Sequence, residues 1–185
     1  CPNGIGVRIA AFYAAARAFF GASVTKESVY DSLRGGSTDA LVAKNLLAAH
    51  RFPVTPDSIE NILHLYDKFY NKNSLKKPIP LPFASTLTKS LLRRKDLIVA
   101  IATGNTKMTA IEKLHQAGLD HLTEVIGGYS SIHINRADIL KDAIKATKTK
   151  NFRQKVHVGD TPSDLRAALE AGFKPVIVTT GIFPP

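Results

Sequence analysis

Val156-His157-Val158-Gly159-Asp160-Thr161-Pro162-Ser163-Asp164 reads as a strand that runs directly into a helix. Val156 to Val158 is β-prone and bounded by Gly159. Thr161-Pro162 then starts a helix, with a capping hydroxyl and a proline in the first turn, where a missing N–H does no harm. Asp160 lies where the strand stops. Asp164 lies in the first helical turn, where the chain curls back toward the same point. Two carboxylates near one spot suit a hard divalent cation such as Mg2+, which takes oxygen ligands in octahedral geometry. The competing reading is structural, with Asp160 as a turn residue and Asp164 as a first-turn acid favoured by the helix dipole.

The same alternation of strand and helix runs through the second half of the chain. Helices are predicted over 86–94, 106–117, 136–147 and 162–171, the second ending at Gly118 and the last at Gly172. Strands are predicted over 97–102, 124–127, 156–158 and 175–179, the first of them wholly apolar and so expected to be buried. Apolar strands alternating with helices imply a parallel sheet with right-handed crossovers. In such sheets the chemistry sits beyond the carboxyl ends of the strands. The strand over 97–102 ends in Thr103-Gly104-Asn105, where a hydroxyl, a glycine and a helix start can form a nest of N–H groups for a phosphate or oxyanion. A plain strand–helix turn, with Thr or Asn as cap, would look the same. Arg136 opens the helix before Val156, either as a surface arginine or as a fixed cation that balances phosphate charge. His133 and His157 make no metal-ligand spacing, and His157 reads as a half-buried strand residue.

The first part of the chain is helical. Ile9, Phe12, Ala16 and Phe19 recur at helical spacing up to Gly21. Thr38 can cap a helix whose apolar face holds Leu41, Val42, Leu46 and Ala49. Thr55-Pro56-Asp57 starts another, with Ile59, Ile62, Leu63, Tyr66 and Phe69 on one face. Pro78, Pro80 and Pro82 mark a linker over 71–82.

Bulk properties narrow the partners. The 185 residues are 44% apolar and 22% charged, the balance of a globular protein that can bury a core without staples. A single cysteine, Cys1, excludes a disulfide framework within the chain. No apolar run approaches the roughly 20 residues of a membrane span. The net charge of +10 favours anionic partners. The basic residues are scattered without interleaved aromatics, which argues against a nucleic-acid groove. With no disulfide and no signal sequence, the cytosol is the default compartment. Nothing in the sequence specifies an oligomeric state.

Taken together the motifs resemble the haloacid dehalogenase superfamily. Ile101-Ala102-Thr103-Gly104-Asn105 is similar to its second motif, Arg136 stands where its third places a Lys or Arg, and Val158-Gly159-Asp160-Thr161-Pro162-Ser163-Asp164 is similar to its fourth. The resemblance implies an α/β fold with a Rossmann-like parallel sheet over residues 77–185 and a small helical cap over 1–76. It implies a phosphatase of small phosphorylated metabolites that uses Mg2+. In it Thr103, Gly104, Asn105 and Arg136 hold the phosphoryl group, with Thr103, Arg136 and Asp160 catalytic. Asp160 binds the metal, and Asp164 binds it or supports it. Gly36-Ser37-Thr38-Asp39 resembles a cap segment that can face substrate through Thr38 and Asp39, although a helix cap would use the same residues.

The family's first motif, a strand followed by Asp-x-Asp-Gly-Thr, supplies the nucleophilic aspartate. No such string occurs here. Our expectation is that the chain starts downstream of it, with Cys1-Pro2-Asn3-Gly4 opening a linker to the cap. The alternative makes those four residues a degenerate remnant. Without the motif the chain is expected to turn over little or nothing, and a non-catalytic binding module of the same fold is the rival reading. The missing strand belongs in the middle of the sheet, so its neighbours are expected to be bared.

Overall fold

The structure, a computed structural model, describes residues 2–33, 37–73, 78–131, 133–149 and 151–180. Gly36 lies outside them. Four helices come first: α1 (Pro2–Phe20), α2 (Lys26–Ser32), α3 (Asp39–Ala49) and α4 (Pro56–Asn73). Then follow α5 (Ala84–Leu92), β1 (Ile101–Thr103), α6 (Lys107–Gln116), β2 (Gly127–Tyr129), α7 (Arg136–Ala146), β3 (Val156–Gly159), α8 (Pro162–Glu170) and β4 (Lys174–Ile177).

The bundle α1–α4 holds the larger core. α1 packs along α4, and α3 closes against α4. Phe12, Ala16, Val42, Leu46, Ile62 and Tyr66 are fully buried there, and the Phe12 and Tyr66 rings stack with centroids 4.0 Å apart. The expected cap signals act as predicted. Thr38 Oγ1 accepts from Leu41 N at 3.2 Å, and Thr55 Oγ1 accepts from Ser58 N at 3.1 Å. Pro2 to Gly4 form the first turn of α1 where a linker to the cap was expected, and Cys1 lies outside the described residues.

The second half carries parallel pairing as expected, with Ile101 opposite Gly127 and Val156 opposite Lys174. The strands form two separate two-stranded sheets, β1 with β2 and β3 with β4. Beneath them α7 lies against β1 and β2, α8 lies against β3 and β4, and the two helices pack on each other. Ala137, Leu140 and Ala167 form the small core between them. One helical layer thus serves two sheets whose inner edges, on β1 and β3, pair with no strand among the described residues.

That split explains the largest departure from expectation. The strand predicted over 97–102 is reduced to Ile101–Thr103, and Leu97 and Ile98 are 41% and 50% exposed instead of buried. A strand without a second neighbour loses ladder hydrogen bonds and cover on its flank. Val158 on β3 is likewise 60% exposed, and α5 buries none of its residues. The bared surface lies where the sequence argument placed it. β2 also falls later than the predicted 124–127, because α7 approaches its backbone. A Cβ on Gly128 would lie 2.0 Å from Ile139 O, so only glycine allows this packing. No described helix is long and apolar enough to cross a membrane.

Candidate active site

Two strands and two helix starts meet beside a narrow cleft. Its walls are Ala102 and Thr103 of β1, Arg136, Ile139 and Leu140 of α7, His157 of β3, and Asp164 and Ala167 of α8. The cleft measures about 10 Å³, close to the least space one water needs.

After β1 the chain turns through Gly104 and Asn105 to Thr106, whose Oγ1 accepts from Thr109 N at 3.2 Å and so caps α6. Arg136 sits at the first position of α7, behind the Asn135 cap. The loop and the guanidinium are close neighbours, since a Cβ on Gly104 would lie 3.1 Å from Arg136 Nη2 and 3.3 Å from Thr38 Cα. Thr103 and Arg136 therefore stand together in one lining.

Asp164 is held hard in place. Its Oδ1 accepts from Arg136 Nη1 at 2.8 Å, with His157 Nε2 3.7 Å away. Its Oδ2 accepts from Thr161 N at 3.1 Å, Thr161 Oγ1 at 2.7 Å and Asp160 N at 3.3 Å. Thr161 and Asp164 thus form the reciprocal capping box that opens α8. Burial alone would raise this carboxyl. Nearby His157, the charge of Arg136 and the Thr161 hydroxyl outweigh it and hold the group well below the usual carboxylate range.

The two acids of the motif therefore differ. The described bonds of Asp160 involve only its backbone N–H, which leaves its half-buried carboxylate available to a cation. Both oxygens of Asp164 are occupied by the protein. A Mg2+ ion binds through one or two carboxylates and keeps several waters, so Asp160 fits as its ligand. Asp164 fits as the support of Arg136 and of the strand end. Among the described residues no three His, Cys, Asp or Glu side chains gather as a metal cluster.

Thr38 and Asp39 lie at the seam between the helical bundle and the site, with their polar atoms already engaged. Thr38 Oγ1 donates to Ile134 O at 2.9 Å. Asp39 is fully buried. Its Oδ1 accepts from Arg8 Nε at 3.0 Å and Nη2 at 2.8 Å, and its Oδ2 from Thr106 N at 2.9 Å. Its own N–H donates to Gly104 O at 2.7 Å. This pair caps and clamps, the structural option open at the sequence level.

Sequence reasoning missed several members of the site. Ser130 Oγ accepts from Ala40 N at 3.0 Å and donates to His133 O at 3.1 Å, a second tie across the seam. Asp67 of α4 accepts from the hydroxyls of Thr106 and Thr109, and burial raises its carboxyl despite them. Lys113 of α6 donates to Asn105 Oδ1 at 2.7 Å. The available signal was spacing, because Thr106, Thr109 and Lys113 share one face of α6. A cavity of about 470 Å³ adjoins Thr106 between α4 and α6, lined also by Glu60, His64, Asp67, Met108 and Ile111.

A crystal structure of a hydrolase from Pseudomonas syringae shares the fold, with a TM-score of 0.67 and 19% identity over 97% of this chain and 80% of that one. No curated protein matches the sequence. The sequence pattern of haloacid dehalogenase-like hydrolases matches residues 8–178, a span that takes in Thr103, Arg136 and Asp160, and the chain belongs to that family.

Proposed function

We propose that this chain serves a Mg2+-dependent phosphatase reaction on small phosphorylated metabolites. One observation carries the reading. The Thr103 hydroxyl and the Arg136 guanidinium line the same cleft, while the Asp160 carboxylate just after β3 makes no hydrogen bond among the described residues.

In this reading Thr103 and the following N–H groups hold the phosphoryl oxygens. Arg136, aimed by Asp164, offsets their charge as it grows. Asp160 holds Mg2+, which when bound neutralises phosphate charge. The helical bundle acts as a cap that keeps water out, and the cavity beside Thr106 takes the organic part of the substrate. The attacking carboxylate of this reaction class stands in an Asp-x-Asp-Gly-Thr string, which residues 1–185 do not contain. The 185-residue chain should therefore bind phosphate without turning over esters.

Calorimetric titration with inorganic phosphate, with and without Mg2+, tests this. Weak binding is expected, at about millimolar Kd. Thr103→Val and Arg136→Met should weaken it, and Asp160→Asn should abolish its Mg2+ dependence. Phosphate binding indifferent to Thr103→Val and Arg136→Met would remove the site from consideration. Hydrolysis of p-nitrophenyl phosphate at ordinary enzymatic rates, about 1–1000 per second, would refute binding without turnover. Binding that ignores Mg2+ and Asp160 would favour a non-catalytic module of the same fold.

A further inference from the structure

We propose that Lys113 is a positioning residue: acting through the amide of Asn105, it fixes the direction in which the Thr103 hydroxyl donates. The proposal rests on the phosphoryl-site reading and adds the device that sets the site's polarity.

The inference follows from counting donors. A lysine ammonium can only donate. Lys113 Nζ lies 2.7 Å from the Asn105 side chain, so the atom facing it must be the amide oxygen. The NH2 end is then forced the other way, where it meets Thr103 Oγ1 at 2.8 Å. Thr103 Oγ1 also accepts from the backbone N–H of Asn105 at 3.2 Å. A hydroxyl has two acceptor lone pairs and one hydrogen. With both lone pairs occupied, the hydrogen of Thr103 is left to donate, and the cleft it lines with Arg136 has room for a single acceptor oxygen, so a phosphate would reach it by one oxygen only. A site built this way offers a donor to an anion and turns no lone pair toward it. Were the amide reversed, Asn105 Oδ1 would draw that hydrogen inward and the hydroxyl would repel a phosphoryl oxygen.

The fold explains why Lys113 reaches this loop. Side chains on a helix lean toward its N-terminus. Lys113 lies seven positions after the Thr106 cap, so its stem runs back along the face of Thr109 toward Asn105. Above it the Tyr70 ring of α4 sits 5.3 Å from Nζ, a cation–π contact that keeps the ammonium in register. Burial pushes the ammonium down to about 8, with the charge of Asp39 working against that shift.

Nuclear magnetic resonance on the full chain tests the relay without any ligand. The Asn105 side-chain NH2 should show proton–proton contacts to the Thr103 methyl, and Lys113→Met should weaken or average them. Lys113→Gln, which can both donate and accept, should do the same while keeping a polar contact. Unchanged NH2 contacts in a folded Lys113→Met or Lys113→Gln protein would overturn the proposal. Titration with inorganic phosphate adds a double-mutant cycle. Lys113→Met should weaken binding about tenfold in the wild-type background and by less than about twofold in an Asn105→Ala background. An equal loss in both backgrounds would mean that Lys113 acts by its charge alone, and would overturn the relay. If the wild-type chain binds no phosphate while the NH2 contacts respond as expected, the phosphate reading fails and the relay stands.

Discussion

Replacing Asp39 by alanine should unfold this protein more readily than any change on its surface. The carboxylate is fully buried and joins three parts of the chain. It pairs with Arg8 of α1 at 2.8 and 3.0 Å, and it accepts the Thr106 N–H that opens α6 at 2.9 Å. Truncation leaves the Arg8 guanidinium, whose side chain is only 19% exposed, without its counter-charge. Breaking one side of a buried pair costs about 3–5 kcal/mol, and the orphaned Thr106 N–H adds about 1 kcal/mol or more. The expected loss is about 4–6 kcal/mol, a large share of a stability of about 5–15 kcal/mol. Asp39→Asn should lose about half as much, because one oxygen still accepts while the charge is gone. Arg8→Met combined with Asp39→Ala should be less destabilised than the sum of the two, since no unpaired charge is left behind. Urea unfolding followed by far-ultraviolet circular dichroism measures the wild type, the three single variants and the double variant. A loss below about 1 kcal/mol for Asp39→Ala, or strict additivity in the double variant, would refute the reasoning.

Two further outcomes follow from the site. A Cβ on Gly159 would stand 2.4 Å from Asp164 Cβ, so Gly159→Ala must displace the residue that aims Arg136. It should cost about 1–3 kcal/mol and weaken phosphate binding, which calorimetry would detect. Lys113 gives a pH effect of opposite sign to a salt bridge. Its ammonium is held down to about 8 in the folded protein against a usual 10.5, so between those values the unfolded chain binds the extra proton. Its contribution to stability therefore rises with pH across that window. Urea midpoints from pH 7.5 to 10 should climb more steeply for the wild type than for Lys113→Met, and parallel profiles would contradict the assignment.

The sequence was most legible where structure is made locally. Thr38, Thr55-Pro56-Asp57 and Thr161-Pro162 each carry a cap within a few residues, and each opens a helix where predicted. The order Thr103, Arg136, Asp160 was legible because each residue follows or precedes a recognisable strand or helix start. Lys26–Ser32 escaped notice because seven residues give periodicity too little length, although Thr25 Oγ1 caps the helix by accepting from Ser28 N at 3.2 Å. Leu97 to Ala100 misled for a physical reason. An apolar run reads as a buried strand, but burial needs a neighbour, and the sequence of the strand itself does not say whether one is there. The strand read over 124–127 falls instead at Gly127–Tyr129, because glycine is a poor strand former and only the approach of α7 explains its use. The different surroundings of Asp160 and Asp164 also depended on distance, since identical side chains four residues apart differ here only in what bonds them. The pairings Arg8–Asp39, Asp67–Thr106 and Lys113–Asn105 join segments that no local pattern connects.

The seam carries one consequence for the order in which the molecule assembles. Thr38 and Ile134 are 96 residues apart, Ala40 and Ser130 are 90, and Asp39 and Thr106 are 67. The buried residues of the α1–α4 core, by contrast, all lie within the first 70 residues, with Ile134 packed on them from outside. Loop closure makes the distant contacts entropically dearer and slower to form. The bundle should therefore condense first, and the loop at Thr103–Thr106 should lock last. Substitutions at Thr38 or Ser130 should then speed unfolding while leaving the folding rate almost unchanged. A chain emerging during synthesis would carry a finished bundle well before the loop at Thr103–Thr106 met the residues that hold it.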